Sequence, residues 1–467
     1  MDLHIPSSFI LGASASAEQT EGWKGKKAGQ DSYMDAWFKN EPSVWNGDIG
    51  PDIATNFMES YEVDISLMKE FGIDAYRTSI NWARFFTDYE HCVVDEEYAK
   101  HISDMIDAQI DAGVEPMLCL HHFELPWQLW EEQGGWGSRH VVDLFVSYAR
   151  IAFDRYGDRV KTWFTFNEPI QPPLGALLEG DVWPYERDTA KYLLWNYHKA
   201  LATALTVRLY KSGNYGGRIG CILNIGKPCP RSQSPRDVEA ARLYDLFFNR
   251  LYLDPLILGE YSQEILDIAA ENGISLVLSS DDLAVIKKNT IDLLGVNLYF
   301  PPRIKAPQFA HHPEESFNPS WLYEMYDLPG CKMNESRGWE IYPKTMYDTA
   351  MYLKERYNNI PWIVTENGMG VQGEERYLDA NGMVVDDYRI EFVASHLREL
   401  LHAVEDGANC EGYMLWSFTD CISPRNNFRN RYGYIRIDVE NDLARVPKKS
   451  AYWHKELSKT RLLSCGE

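Results

Sequence analysis

Eight short apolar runs constrain the fold of this chain more than any other feature of its sequence. Runs of this kind, rich in β-branched and aromatic residues, are typical of buried strands. Most neighbouring runs are far enough apart for a helix to fit between them. We therefore predict eight strands, at residues 9–14, 75–80, 115–120, 162–166, 219–225, 292–299, 361–365 and 412–416.

Amphipathic helical patterns occupy several of the intervals between these strands. Residues 56–71 place apolar side chains on one helical face and are followed by Gly72, a common helix stop. Residues 141–156 and 388–404 are also amphipathic. Strands that alternate with helices indicate parallel βα units, and eight such units predict an α/β fold, the closed (β/α)₈ or TIM barrel. An open, doubly wound sheet is the alternative.

The chain of 467 residues is much longer than a plain barrel, which needs about 250 residues. The excess is expected in long loops, the longest being residues 226–290 and 301–357. The sequence contains no linker, internal repeat or low-complexity tract. It therefore predicts a single domain over residues 1–467.

Charge and cysteine content exclude several classes of protein. A formal net charge of -23 argues against nucleic acid or an anionic membrane as a partner. The sequence shows neither a signal peptide nor an apolar stretch of about 18 residues, so a cytoplasmic location is expected. The eight cysteines form no CxxC pair and are interpreted as reduced. A small-molecule substrate is the expected partner, and the sequence predicts no oligomeric state.

Hydrogen-bonding side chains follow seven of the eight predicted strands. The active site of a (β/α)₈ barrel forms at the carboxyl ends of the strands, so these side chains are expected to meet. Each one alone is more often structural, but together they suit a sugar, and no cofactor motif accompanies them. The set comprises Gln19, Arg77, His121, His122, Glu124, Asn167, Glu168, Asn297, Tyr299, Glu366, Trp416 and Ser417.

Glu168 and Glu366 have the strongest claim to a chemical role. Each follows a short apolar run, where a carboxylate is costly unless something there uses it. Two carboxylates that face each other across one cavity are the arrangement that glycoside hydrolysis needs. The sequence therefore predicts a glycosidase, with a non-catalytic sugar-binding protein as the alternative from another class.

Two other patterns are not interpreted as sites. Residues 368–373 match GxGxxG, but they follow the seventh strand and no helix clearly starts there. The pairs His121–His122 and His311–His312 lack the spacing of a metal site. We expect neither a cofactor nor a metal.

Eight segments, in chain order, resemble glycoside hydrolase family 1 over nearly the whole chain. The combination of TFNEP and TENG is highly specific. The segments are QTEG (19–22), YRTSI (76–80), HFELP (122–126), TFNEP (165–169), NLY (297–299), GWEIYP (338–343), TENG (365–368) and LWS (415–417).

The resemblance implies a retaining β-glycosidase with Glu168 as acid/base and Glu366 as nucleophile. Arg77 would keep Glu366 anionic, Tyr299 would hydrogen-bond to it, and Asn297 would support the pair. The resemblance further implies substrate contacts from Gln19, His122, Asn167 and Trp416. Trp339 is a candidate for stacking on the aglycone, with simple packing as the equal alternative.

The segment after the eighth strand suggests a phosphorylated sugar. In members of the family that act on 6-phosphorylated sugars, a serine is followed later by Lys-x-Tyr. Ser423 and Tyr432 match this pattern, whereas Asn430 stands where the lysine is expected. Residues 421–437 contain no Asp or Glu, and arginines there could help to neutralise a phosphate, since arginine suits phosphate: Arg425, Arg429, Arg431 and Arg436. Any one of them alone is more often part of a solvated loop face.

Pro424 stands where a tryptophan goes with phosphogalactosides, which favours a glucoside. The resemblance thus predicts a 6-phospho-β-glucosidase acting on aryl or disaccharide phosphoglucosides. An ordinary β-glucosidase and a 6-phospho-β-galactosidase remain as alternatives.

Overall fold

A computed structural model describes residues 2–45, 49–309, 316–424 and 426–464, in which eight parallel strands close a barrel. Each strand pairs with the next in chain order, and β8 pairs with β1. The barrel and all eight predicted strands are confirmed, and the open sheet is wrong. The strands are β1 (Ile10–Ser14), β2 (Ala75–Ser79), β3 (Glu115–Cys119), β4 (Thr162–Asn167), β5 (Arg218–Leu223), β6 (Leu293–Asn297), β7 (Trp362–Asn367) and β8 (Cys410–Trp416).

Apolar side chains from every strand fill the interior of the barrel. Packing of this kind leaves no channel, so polar groups with a function must lie at an end of the barrel. The interior residues are Ile10, Ala75, Met117, Cys119, Phe164, Ile222, Leu293, Ile363 and Met414.

Helices form the outer layer. The three predicted helices are confirmed, and their ends agree with the prediction to within two residues. The α-helices are Ala17–Thr20, Tyr33–Asn40, Phe57–Glu70, Trp82–Phe85, Glu96–Ala112, Trp127–Gln133, Arg139–Tyr156, Gln171–Pro173, Thr189–Ser212, Pro235–Tyr244, Arg250–Leu253, Gln263–Glu271, Ser280–Lys288, Thr345–Arg356, Asp387–Glu405 and Lys449–Thr460.

The two long insertions build walls above the carboxyl ends of the strands. Residues 226–290 are mostly helical, whereas the described part of residues 301–357 contains short strands, a 3₁₀ turn at Pro319–Leu322 and the α-helix Thr345–Arg356. Two of these short strands, Met333–Asn334 and Trp339–Glu340, pair as a hairpin. The remaining short strands are Leu3–His4, Phe86–Asp88, Val93–Val94, Cys229–Pro230, Arg303–Lys305, Glu324–Met325, Ile435–Asp438, Ala444–Pro447 and Leu462–Leu463.

The residues that the structure describes do not include His311, His312, Arg425 and Cys465. The seven cysteines that the structure describes are all free. In the described ranges, the helices are too short or too polar to cross a membrane.

Candidate active site

A cavity of about 780 Å³ opens at the carboxyl ends of the barrel strands. This size suits a small organic ligand. Arg77 lies beneath it in contact with Glu366, whereas Asn430 is buried and does not line it. The predicted site residues that line the cavity are Gln19, His122, Asn167, Glu168, Asn297, Tyr299, Trp339, Glu366, Trp416, Ser423 and Tyr432.

Glu366, the penultimate residue of β7, is held between a guanidinium and a phenol. One of its oxygens accepts a hydrogen bond from Arg77, and the other accepts one of 2.8 Å from the Tyr299 hydroxyl. Arg77 is fully buried and also donates to the Ala15 carbonyl over 3.1 Å. Burial raises the pKa of Glu366, and hydrogen bonds and the charge of Arg77 oppose that rise. These contacts favour the ionised carboxylate.

Glu168 follows β4 directly and occupies a different environment. Its backbone is left-handed, with φ of 43°, a conformation that costs a non-glycine residue about 1–3 kcal/mol and is typical of functional sites. Burial raises the pKa of Glu168 to about 8, and the nearby charge of Glu366 contributes to the rise. Glu168 is therefore the protonated member of the pair at neutral pH.

The Asn297 side chain, at the end of β6, affects both carboxyl groups. Its Nδ2 donates to Glu168 Oε1 over 2.7 Å, and its amide also stabilises the charge of Glu366. The Thr365 hydroxyl donates to Asn297 Oδ1 over 2.8 Å and orients the amide. The Nδ2 atom of Asn297 also donates to Asn167 Oδ1 over 3.1 Å, so this amide links the ends of β4 and β6.

Neutral polar groups and aromatic rings surround the carboxyl pair. His122 contacts two polar side chains. Its Nδ1 atom lies 3.0 Å from Nη1 of Arg77, and its Nε2 atom lies 3.1 Å from Nδ2 of Asn167. Burial and the charge of Arg77 lower the pKa of His122 well below its ordinary value, so the imidazole is neutral. Its ring stacks on Trp416 at 5.8 Å, and Gln19 donates to the Ile422 carbonyl over 2.6 Å. Polar groups fixed in this way beside an aromatic ring suit the hydroxyls and the face of a sugar.

The sequence of this chain matches the model of glycosyl hydrolase family 1 over residues 1–462. The chain belongs to this family. The resemblance seen in the sequence is confirmed, and with it the assignment as a glycoside hydrolase.

Curated relatives of this family 1 glycoside hydrolase include enzymes that act on phosphorylated sugars. The 6-phospho-β-glucosidase GmuD of Bacillus subtilis (strain 168) is 41% identical over 454 residues, which cover 97% of each chain. The 6-phospho-β-galactosidase of Staphylococcus aureus (strain MRSA252) is 33% identical over 98% of each. Among solved structures, the family 1 β-glucosidase of Thermotoga maritima superposes with a TM-score of 0.87 at 27% identity and covers 99% of each chain.

Several residues that line the cavity of this family 1 enzyme were not singled out from the sequence. They come from the insertions and connecting loops, where no periodic pattern indicates which side chains face the barrel. Tyr244 and Phe248 stack at 5.0 Å and give one wall an aromatic surface. The additional lining residues include Glu179, Asn224, Tyr244, Phe248, Tyr323, Glu324 and Arg337.

The segment after β8 contributes only part of the predicted phosphate site. Ser423 and Tyr432 line the cavity. Asn430 is 2% exposed, and neither polar atom of its amide has a partner among the described residues.

The expectation that the arginines of this segment reach the active-site cavity is wrong for the three that the structure describes. Arg429, Arg431 and Arg436 line a separate cavity. Arg431 lies 3.5 Å from the buried carboxylate of Asp420, and Arg436 lies 3.2 Å from Asp438. These ion pairs hold both guanidinium groups away from the active site.

The GxGxxG match at residues 368–373 has no dinucleotide-binding context. A 3₁₀ turn, Glu374–Tyr377, follows it instead of an α-helix. Gly370 packs against the ring of Tyr432, where a Cβ atom would lie 2.4 Å from Cζ. The glycine is therefore required by packing against the site. Within the described ranges, no group of three His, Cys, Asp or Glu side chains could hold a metal ion.

Proposed function

We propose that this chain is a retaining β-glycosidase that hydrolyses 6-phospho-β-glucosides by double displacement. One observation carries the proposal: Glu168 and Glu366 line the same cavity but occupy different electrostatic environments, with Glu366 bound by Arg77 and Tyr299 and Glu168 by the neutral Asn297. The charge of Glu366 also raises the pKa of Glu168, which supports the close carboxyl pair that a retaining enzyme needs.

In the first step, Glu366 attacks the anomeric carbon and forms a covalent bond to it. The bond between that carbon and the leaving oxygen breaks, and Glu168 gives its proton to this oxygen. Arg77 and Tyr299 hold one oxygen each, which keeps the carboxylate ionised and fixes its orientation for the attack.

In the second step, Glu168 acts as a base. The covalent bond consumes the negative charge of Glu366, which had raised the pKa of Glu168. That pKa therefore falls, and Glu168 can take a proton from water as the water oxygen attacks the anomeric carbon. The bond to Glu366 breaks, and the sugar leaves with its original β configuration.

Three observations support a 6-phosphate on the substrate. Ser423 and Tyr432 offer hydroxyl donors in the cavity wall. Ser423 also stands where, by the family resemblance, a glutamate would grip the hydroxyls of plain glucose and repel a phosphate. GmuD and the S. aureus relative are named for 6-phosphorylated sugars. GmuD has the higher identity, which, together with Pro424, favours the glucoside over the galactoside.

A plain β-glucosidase is the second candidate. It is favoured by the T. maritima structure, a β-glucosidase that superposes over 99% of the chain, and by the neutral Asn430. The carboxyl chemistry is the same in both candidates, so only the substrate distinguishes them.

The pH dependence of kcat/KM tests the roles of the two glutamates. The protonated form of Glu168 is required, and its pKa is about 8, so kcat/KM should fall as the pH rises through about 8. The ionised form of Glu366 is required, so kcat/KM should also fall toward acid. A phosphate on the substrate titrates near pH 6 and adds to the acidic limb, which leaves the alkaline limb as the cleaner test.

The matched control is Glu168→Gln, assayed beside the wild type on the same substrate, p-nitrophenyl β-glucoside 6-phosphate. This variant should keep the acidic limb and lose the alkaline one. An alkaline limb that persists at the same pH in Glu168→Gln would assign it to another group and contradict the proposed acid.

A further inference from the structure

The wall of the cavity near Tyr432 carries one unpaired guanidinium. Among the lining residues that the structure describes, Arg337 alone is a lysine or arginine. Four glutamates line the same cavity: Glu168, Glu179, Glu324 and Glu366. The ionised members of this group would repel an anionic substrate, and Arg337 is the lining side chain that can offset the repulsion.

Aromatic packing fixes the Arg337 side chain. Its Cζ lies 4.3 Å from the ring centroid of Trp339, a cation–π distance. Trp339 in turn lies 5.3 Å from the ring of Tyr299, which hydrogen-bonds to Glu366. Arg337 therefore lies on the same wall of the cavity as Tyr299, which hydrogen-bonds to Glu366.

The guanidinium of Arg337 has no hydrogen bond or ion pair within the described residues, and its Nε atom is buried. Other arginines of this region are paired: Arg303 forms two hydrogen bonds with Glu340, of 2.7 and 2.9 Å. Because arginine stays charged at any working pH, a half-buried guanidinium without a counterion loses hydration, and its contact with the Trp339 ring supplies no hydrogen-bond acceptor. A bound anion would supply the missing partner.

The loop that carries Arg337 is joined to the segment that packs on Tyr432. The backbone N–H of Gln372 donates to the Ser336 hydroxyl over 3.1 Å, and the Asn334 side chain donates to the Gly370 carbonyl over 3.1 Å. Gly370 lies against the Tyr432 ring. Burial raises the pKa of Tyr432 to about 12, and the charge of Arg337 opposes the rise. Arg337 and Tyr432 both line the active-site cavity.

We propose that Arg337 binds the 6-phosphate of the substrate, with Ser423 and Tyr432 as its neutral hydrogen-bond partners. This inference rests on the proposed function and names the cation that it requires. The planar fork of a guanidinium can donate two parallel hydrogen bonds to two phosphate oxygens. In this arrangement Arg337 supplies the positive charge that a phosphate needs. Asn430 is neutral, and another cavity is lined by Arg429, Arg431 and Arg436.

The test compares p-nitrophenyl β-glucoside 6-phosphate with p-nitrophenyl β-glucoside, which share one leaving group. The measured quantity is the ratio of their kcat/KM values in the wild type, Arg337→Met, Arg337→Lys and Arg429→Met. Arg337→Met should lower the ratio by about thirty- to a hundredfold, mainly through KM for the phosphorylated substrate. Arg337→Lys keeps the charge but loses the fork, so it should lower the ratio by about tenfold.

Arg429→Met is the matched control, since it removes one positive charge from the neighbouring cavity. Its ratio should stay within about threefold of the wild type. A general folding defect lowers both rates and leaves the ratio unchanged, and Arg337→Lys provides a second variant if Arg337→Met does not fold. Inhibition gives an independent readout: glucose 6-phosphate should inhibit Arg337→Met far less than the wild type, whereas the effect of glucose should change little.

The outcomes separate this inference from the proposed function. A high ratio in the wild type that persists in Arg337→Met overturns the inference and leaves the phosphoglucosidase proposal standing. If Arg429→Met lowers the ratio and the Arg337 variants do not, the inference is likewise overturned and the phosphoglucosidase proposal stands. A wild type without preference for the phosphate overturns both.

Discussion

Replacement of Glu366 by alanine is expected to abolish hydrolysis, with kcat on p-nitrophenyl β-glucoside 6-phosphate reduced by about 10⁴-fold or more. The variant has no nucleophile for the first step, although Gln19, His122 and Asn167 remain to bind the sugar. Substrate binding should persist. A small nucleophile such as azide fits the space of the lost carboxyl group and attacks from the same side, so the product should be the α-glycosyl azide.

The structural cost of this substitution needs a control of its own. Glu366→Ala leaves the buried Arg77 without its carboxylate, and breaking a buried pair in this way typically costs about 3–5 kcal/mol. Asp64→Ala breaks another buried pair, with Arg445 at 2.8 Å, outside the active-site cavity. Asp64→Ala should lower the unfolding temperature and keep kcat within a few-fold. Comparable loss of kcat in both variants would mean that Glu366 acts structurally.

Replacement of Glu168 by alanine should give a loss that depends on the leaving group. Substrates with poor leaving groups, such as disaccharide phosphates, need the proton of Glu168, so their kcat/KM should fall by about 10³–10⁴-fold. An activated dinitrophenyl glycoside should keep most of its kcat/KM. Its kcat should nevertheless fall, because the second step lacks the base, and the covalent intermediate should accumulate and lower KM.

Azide distinguishes this variant from Glu366→Ala. In Glu168→Ala the covalent intermediate still forms, and azide then attacks from the opposite face, so the β-glycosyl azide should appear. Equal losses for good and poor leaving groups, or an α-azide product, would contradict the assignment of Glu168 as acid/base. The two variants thus give opposite stereochemical outcomes, which a purely structural role of either residue does not explain.

The barrel and its carboxyl pair were predictable because both depend on local patterns. Each strand is a short apolar run, and the catalytic candidates stand where two of these runs end, at Asn167–Glu168 and Glu366–Asn367. The helix Thr189–Ser212 was not predicted. It is buried on nearly every side, so its apolar residues form no stripe of helical period. Tertiary packing, and not amphipathicity, accounts for this helix.

The charge around the proposed phosphate site could not be predicted from local sequence. The arginine-rich segment 425–436 suggested a phosphate site by composition, but buried Asp420 and the nearby Asp438 hold Arg431 and Arg436 at another cavity. Arg337 lies almost a hundred residues earlier, in an irregular insertion. Its place in the wall of the active-site cavity depends on contacts between two loops that no sequence period encodes.

The most direct test of the proposed function is the kcat/KM of the wild type on p-nitrophenyl β-glucoside and on its 6-phosphate, with the β-galactoside 6-phosphate as a third substrate. We predict that the glucoside 6-phosphate is preferred over the plain glucoside by about a hundredfold or more, as expected from charge-assisted contacts worth roughly 3 kcal/mol. The galactoside 6-phosphate should be the poorer of the two phosphorylated substrates. Equal rates, or a preference for the plain glucoside, would contradict the account and identify the enzyme as an ordinary β-glucosidase.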